Sequence, residues 1–265
     1  MTSQRHTALG AALVTGGAVR IGRAICLALA ARGHAVAIHC NQSQTEAKSL
    51  QAEIIAQGGR AAVVQGDLCD HAATQALLPQ AQAALGSVSV LVNNASLFEY
   101  DRIDSAGLES WQKHMDANLR APFFLAQAFA AALPEGMAGN IVNIIDQRVW
   151  RLTPHFASYT LSKAGLWTLT QTLAMALAPR IRVNGIGPGP VLPSSRQTAE
   201  QFAQQWASTP LQRGAAPEEI AAGLLFLLDA PAMTGQMIAL DGGQHLPWPP
   251  PGQAPGQAGL DNPEE

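Results

Sequence analysis

Tyr159 and Lys163 stand four residues apart in Tyr159-Thr160-Leu161-Ser162-Lys163. On a helix that spacing sets a phenol and an ammonium side by side. A neighbouring cation favours the phenolate, so the tyrosine pKa is expected to fall from about 10, letting the group exchange a proton near neutral pH. An ordinary surface pair has the same spacing, and the pair alone leaves both readings open. A second constellation is Thr15-Gly16-Gly17-Ala18-Val19-Arg20-Ile21-Gly22. Glycines in such a turn let backbone N–H groups approach a pyrophosphate, and the helix that follows adds the positive end of its dipole. The alternative is a tight strand-to-helix turn with no ligand.

A dinucleotide lying on that turn would reach the end of the second predicted strand. NAD-type sites place a carboxylate there for the adenosine ribose hydroxyls. His39-Cys40-Asn41-Gln42-Ser43 offers none before Glu46. A carboxylate would repel a 2′-phosphate, so its absence, with Arg20 and Ser43 as donors, predicts NADPH. Arg20 as a solvated helix-start residue is the alternative. Asp67, in Gly66-Asp67-Leu68, is placed to accept from an adenine amino group. Candidate cofactor contacts from these segments are Gly16, Arg20, Ile21, Gly22, His39, Asn41, Gln42, Ser43, Asp67 and Leu68.

The elements that must position these groups alternate between short apolar runs and longer helical patterns, the signature of repeated βαβ units. Strands are predicted at Ala11–Val14, Ala35–His39, Ala61–Val64, Val88–Val92, Asn140–Ile145, Ile181–Gly185 and Met237–Leu240. A first helix carries Ile21, Ile25 and Leu29 on one face; others are predicted at Gln44–Gln57, Ala72–Leu85, Leu108–Leu133 (in one or two pieces), Ser158–Ala178 and Pro217–Leu228. Strands apolar on both faces need helices on both sides. The expected fold is α/β, a single doubly wound Rossmann-type domain with about seven parallel strands. It is expected over residues 8–246, with an N-terminal tail at 1–7. The last 20 residues, Leu246–Glu265, hold six of the 17 prolines and no apolar period. A Pro/Gly-rich disordered tail is therefore expected over 247–265, with Pro249–Pro251 as a polyproline ligand the alternative.

Composition narrows the class. The chain has 265 residues, 48% of them apolar and 13% charged, with a net charge of −3. That composition is too apolar for disorder and too weakly charged to predict binding to nucleic acid or anionic lipid. The longest apolar stretches, such as Gly223–Leu228, fall far short of the roughly 18 residues of a membrane span. The start, Met1–Leu9, lacks the apolar core of a secretory signal. Cys26, Cys40 and Cys69 are far apart and read as free thiols of a cytoplasmic protein. No His/Glu spacing predicts a metal site, and no Gly-x-Ser-x-Gly elbow predicts a hydrolase.

Five motifs in order make the chain resemble the short-chain dehydrogenase/reductase family over about residues 10–245: the Thr15–Gly22 turn, Asn93-Asn94-Ala95, Asn118, Tyr159…Lys163 and Gly187-Pro188-Gly189. The resemblance implies that Tyr159 is the general acid and that Lys163 holds the nicotinamide ribose and lowers the phenol pKa. It implies that Asn118 supports a proton-relay water, and it adds Asn94, Ala95, Ser96, Pro188 and Gly189, with Tyr159 and Lys163, to the cofactor contacts. Two departures are informative. Most members have serine 13 residues before the tyrosine, where this chain has Asp146; and Arg20 and Ser96 stand where glycine is usual. With Phe98, these features resemble the pteridine reductase branch, which includes dihydromonapterin and accessory dihydrofolate reductases.

The chemistry of a carboxylate agrees with that branch. It cannot donate to a ketone oxygen gaining charge, a defect worth about 2–4 kcal/mol on the scale of a lost oxyanion donor. It suits the N–H edge of a 2-amino-4-oxopteridine, and in a dry site a raised pKa lets it pass a proton to a ring nitrogen. Asp146 as a strand-end residue facing water is the alternative. Phe98 matches the branch's aromatic that stacks the pterin, an interaction worth roughly 0.5–1.5 kcal/mol, or is simply core. Substrate contacts are expected from Arg20, Ser96, Phe98, Asp146 and Tyr159. Tyr100, Trp150, Leu192 and Trp206 are expected as pocket walls, and Val191–Gln204 as a mobile lid. The expected function is NADPH-dependent reduction of a C=N bond in a pterin or dihydrofolate-like substrate. A carbonyl reductase using Ser96 as the missing hydroxyl, and a non-catalytic NADPH-binding sensor, are the alternatives. The resemblance also implies a homotetramer built through the Leu108–Leu133 and Ser158–Ala178 helices.

Overall fold

The computed structural model describes residues 9–193 and 197–246, and both expected tails lie outside the described residues. Seven strands run parallel in one sheet: β1 (Ala11–Val14), β2 (Val36–Cys40), β3 (Ala61–Gln65), β4 (Val88–Asn93), β5 (Gly139–Ile144), β6 (Ile181–Pro188) and β7 (Met237–Leu240), in the order β3-β2-β1-β4-β5-β6-β7. The helices are α1 (Arg20–Ala31), α2 (Gln44–Ala56), α3 (His71–Leu85), α4 (Leu108–Met115), α5 (Ala121–Ala132), α6 (Ala157–Leu177), α7 (Ala199–Ala207) and α8 (Pro217–Asp229).

Alternation along β1 shows why helices cover both faces. Ala12 and Val14 join one core with Ile25 and Leu29 of α1, Leu50 and Ile54 of α2, and Leu224 of α8. Ala11 and Leu13 point the other way, into a core with Leu77 of α3 and Leu125 and Phe129 of α5. A period-two strand buried on both sides reads as an uninterrupted apolar run, which is why these strands are visible in the sequence.

Most boundaries fall within a residue or two of expectation. The predicted start of α3 at Ala72 moves to His71, because Asp70 caps the helix by accepting from the N–H groups of Ala72 and Ala73. The helix predicted over Leu108–Leu133 is one rod ending at Ala132, in which α4 and α5 are joined by a π-helical turn, Asp116–Arg120. The sixth strand runs past Gly185 to Pro188, because Gly187 and Pro188 pair with Ala239 and Leu240. The expected lid, Val191–Gln204, is corrected in part: α7 begins inside it, closed by a capping box between Thr198 and Gln201.

Candidate active site

The carboxyl ends of the central strands open on a cleft of about 450 Å³, lined by the glycine turn, Asn94–Phe98, Ile144–Arg148, the start of α6 and the segment after β6. This is the sheet edge where doubly wound folds bind ligands, at the reversal of strand order beside β1 and β4. Close approach shapes its floor. Gly16 has φ +59, and a Cβ on Gly22 would sit 2.1 Å from the Gly16 carbonyl. Asn94 Nδ2 ties the turn by donating to the carbonyls of Thr15 (2.8 Å) and Gly16 (3.0 Å). Helix α1 begins with no side-chain cap and no acidic residue in its first turn, leaving N–H groups and a positive dipole end for an anion.

Asp146 faces this cleft and not the bulk solvent. The Tyr159 hydroxyl donates to its Oδ2 at 2.8 Å, while its Oδ1 accepts the Arg148 N–H at 2.7 Å, capping the short 3₁₀ turn Gln147–Val149. The expected fall in the tyrosine pKa is overturned. Burial and then the Asp146 charge hold the phenol well above its ordinary value, against smaller opposing pulls from Arg148 and the Ser96 hydroxyl. Lys163 does not offset this: its ammonium lies 5.8 Å from the Tyr159 ring centre and donates to the Ile144 carbonyl at 2.9 Å. Burial pushes the Lys163 ammonium down to about 8.

Asn118 sits in the π-helical turn, buried, with its amide bonded to Leu97 N–H (2.8 Å), Leu97 carbonyl (2.9 Å) and Ser162 Oγ (3.0 Å). Its side chain therefore clamps the loop after β4 and does not bond Tyr159 or Lys163. Phe98 borders the cleft, stacked on Phe156 with ring centres 4.3 Å apart and edge-on to Tyr159 at 4.7 Å. Arg20 adopts φ 53, the left-handed conformation that explains the usual glycine there. Its guanidinium donates to the Leu192 (3.1 Å) and Pro193 (3.0 Å) carbonyls, spanning the cleft rim.

Residues 16–245 match a family model described as enoyl-(acyl carrier protein) reductase. A 3-oxoacyl-[acyl-carrier-protein] reductase of Synechocystis sp. is 36% identical over 238 residues, covering 88% of this chain and 95% of the relative. The chain belongs to the short-chain dehydrogenase/reductase family. It is accordingly an oxidoreductase. Among solved structures, FolM alternative dihydrofolate reductase 1 from Brucella suis in complex with NADP is 49% identical with a TM-score of 0.89, covering 93% of this chain and 99% of that one. A blue fluorescent protein from a metagenomic library, in complex with NADPH, is 35% identical with a TM-score of 0.82, covering 88% and 97%.

Within this family fold, the structure brings Gly16, Arg20, Ile21, Gly22, Asn94, Ala95, Ser96, Phe98, Asp146, Tyr159, Lys163, Pro188 and Gly189 around one cleft. The predicted adenine-end residues lie apart from it, at the ends of β2 and β3. Asn41 and Gln42 are exposed and Ser43 half-buried, whereas Leu68 packs into the core beside Leu77. Asp67 accepts the Cys69 N–H at 2.8 Å. His39 is buried beneath the glycine turn, where its Nδ1 accepts the Gly16 N–H (3.0 Å) and its Nε2 meets the Gly66 carbonyl (3.0 Å), and burial lowers its pKa. It holds the turn in shape.

Three of the four expected walls are corrected. Tyr100 lies behind Phe156, Trp150 packs on Trp167 and His245, and Trp206 donates to the Pro190 carbonyl at 2.8 Å; only Leu192 lines the cleft. Sequence reading missed Gln147, Arg148 and Phe156. Phe156 is at the left-handed N-cap of α6 (φ 56), a conformation imposed by partners far away in sequence. Among the described residues no group of His, Cys, Asp and Glu could hold a metal ion, and no helix is long and apolar enough to cross a membrane.

Proposed function

We propose that this chain is an NADPH-dependent reductase acting on a C=N bond of a pterin or dihydrofolate-like substrate. The observation that carries the proposal is the Asp146 carboxylate, turned into the cleft and bonded to the Tyr159 hydroxyl at 2.8 Å, where a ketone needs a neutral donor. The 49% identity to a FolM alternative dihydrofolate reductase supports it. The residues present fit the cofactor: an uncapped α1 N-terminus and a glycine turn with no room for side chains at Gly22 suit a pyrophosphate, and no carboxylate follows β2 to repel a 2′-phosphate.

NADPH, when bound, supplies the hydride. The chain's own residues manage position and protons. Lys163, buried on the cleft floor with its ammonium donating to the Ile144 carbonyl, would hold the nicotinamide ribose, as the family resemblance implies. Asp146 Oδ2 accepts from ring N–H groups, which compete with the phenol for that oxygen and release the Tyr159 proton toward the substrate. A phenol held above its ordinary pKa stays protonated at neutral pH, as a donor in the reductive direction requires. Phe98, backed by Phe156, offers a flat wall for the heterocycle.

A second reading, reduction of a ketone, is favoured by the 3-oxoacyl reductase relative, with Ser96 on the cleft wall as the replacement hydroxyl donor. NADPH oxidation measured with dihydrobiopterin, dihydromonapterin, dihydrofolate and a ketone panel separates the two. Turnover of pterins or dihydrofolate is expected, and turnover of ketones alone would overturn the pterin assignment. We further propose a homotetramer through the α4–α5 and α6 faces, where Leu108, Trp111, Phe123, Leu161 and Met175 are exposed. Light scattering giving a monomer mass would refute it.

A further inference from the structure

Behind the cleft lies a closed chain of polar groups that the reduction chemistry does not use. Asp101 in the loop after β4, Ser158 in the first turn of α6, and His114 near the end of α4 are 3%, 1% and 0% exposed. The Glu99 backbone N–H donates to His114 Nε2 at 3.0 Å, and His114 Nδ1 lies 2.6 Å from Ser158 Oγ. Ser158 Oγ in turn donates to Asp101 Oδ2, which also accepts from the Ser110 hydroxyl at 3.3 Å.

The direction of every bond in this chain is forced. A backbone N–H only donates, so His114 Nε2 accepts and the ring proton sits on Nδ1. That proton goes to Ser158 Oγ, whose own proton can go only to an acceptor. Asp101 supplies one, and its second oxygen, Oδ1, accepts the Ser158 N–H at 3.1 Å. An asparagine at 101 would present an amide N–H to one of these two donors in either rotamer. The grouping of serine, histidine and aspartate is not a nucleophilic site, because the serine stands between the other two and all three are buried.

Asp101 also governs the start of α6. Helix α6 has no side-chain cap of its own, and its N-cap Phe156 is left-handed at φ 56 and ψ 49. The Asp101 backbone carbonyl accepts the N–H groups of Phe156 (2.8 Å) and Ala157 (3.4 Å), while its carboxylate takes that of Ser158. One buried residue thus satisfies three successive N–H groups ending immediately before Tyr159. Strained backbone of this kind persists only where its surroundings over-determine it. The same turn sets Phe156 against Phe98, and the His114 ring centre stands 5.9 Å from that of Tyr159.

We propose that Asp101, Ser158 and His114 are positioning residues that fix the Tyr159 phenol at its working place in the cleft. This inference rests on Tyr159 being the proton donor of the proposed reductase. The chain contains two tyrosines, so protein labelled at tyrosine ¹³Cζ gives two resonances, assigned with Tyr100→Phe. In Asp101→Asn and His114→Leu, with NADPH bound, the Tyr159 resonance is expected to move. Their kcat with dihydrobiopterin is expected to fall about ten- to a hundredfold, the scale of a misplaced catalytic group. KM for NADPH should stay within about twofold, because the cofactor contacts are untouched. His114→Gln can offer an oxygen to Glu99 N–H and an N–H to Ser158, so it should restore both kcat and the resonance.

A folded Asp101→Asn or His114→Leu with native kcat or an unmoved Tyr159 resonance would overturn the proposal, as would His114→Gln behaving like His114→Leu. Should Asp101→Asn not fold, Ser158→Ala carries the same expectations and the same refutation. Full turnover by Tyr159→Phe would remove the proton-donor assignment alone, since the resonance still reports whether the chain of bonds holds the phenol.

Discussion

Replacing Asp146 by asparagine changes one charge and almost no volume, and its consequence follows from how the two carboxylate oxygens are used. Oδ1 is committed to the Arg148 N–H at 2.7 Å, so the asparagine keeps its carbonyl there and the 3₁₀ turn stays capped. Its NH₂ group must then replace Oδ2, the oxygen that faces Tyr159 and the cleft. A ring N–H meeting that position finds a donor in place of a charged acceptor. One charge-assisted hydrogen bond is worth about 1.5–3 kcal/mol, which converts to a loss of roughly 10- to 150-fold in kcat/KM for dihydrobiopterin or dihydrofolate. An amide can donate to a ketone oxygen, so any ketone turnover should hold or rise. NADPH oxidation followed at 340 nm, at saturating cofactor, reads both. A folded Asp146→Asn that reduces dihydropterins at the native rate would refute the idea that the carboxylate reads the ring.

Three further outcomes are expected. In Gly22→Ala a Cβ would lie 2.1 Å from the Gly16 carbonyl, so the turn must open, and calorimetry should show NADPH binding weakened at least about tenfold. His39→Ala strips partners from the Gly16 N–H and Gly66 carbonyl; at about 1–3 kcal/mol per buried unpaired group, urea unfolding should show a loss of roughly 2–6 kcal/mol, and an unchanged midpoint would refute it. Lys163 has a folded pKa of about 8 against 10.5 unfolded, so the unfolded chain binds more protons between those values and this group adds stability as pH rises through that window. Comparison of wild type with Lys163→Met by urea unfolding at pH 7.5 and 9.5, values chosen to bracket about 8, should show the wild type alone gaining from this source.

The sheet and the glycine turn were legible because they obey local rules: apolar runs of strand length, a period-3.6 face on α1, and glycine where only glycine fits. Tyr159 and Lys163 stood out by their helical spacing, and Asp146 only through the family resemblance, as the residue standing where most members carry serine; the structure brings Asp146 and Tyr159 together across the segment between β5 and α6. Features set by distant partners were not. Asp101 meets Ser158 across 57 residues, and nothing local in the sequence around either one marks the meeting. The tyrosine pKa was expected in the wrong direction because sequence spacing records the neighbouring ammonium but neither the burial nor the direct bond to Asp146. The sequence ends β6 too early because Gly187 and Pro188 are poor strand formers that β7 nonetheless pairs. The start of helix α7 falls inside the expected lid, although Thr198 and Gln201 spell its capping box.

The π-helical turn at Asp116–Arg120 sets the phase between two halves of one rod. Upstream of it, His114 is aimed at Ser158; downstream, Leu125 and Phe129 are aimed at the sheet. Each residue of an α-helix advances the angle by about 100°, so removing one from this wide turn would rotate one half against the other by about that much. The rod could then seat its core side chains or reach the serine, but not both at once. A single surplus residue in the backbone thereby lets one continuous helix answer to two partners whose directions no regular helix could match.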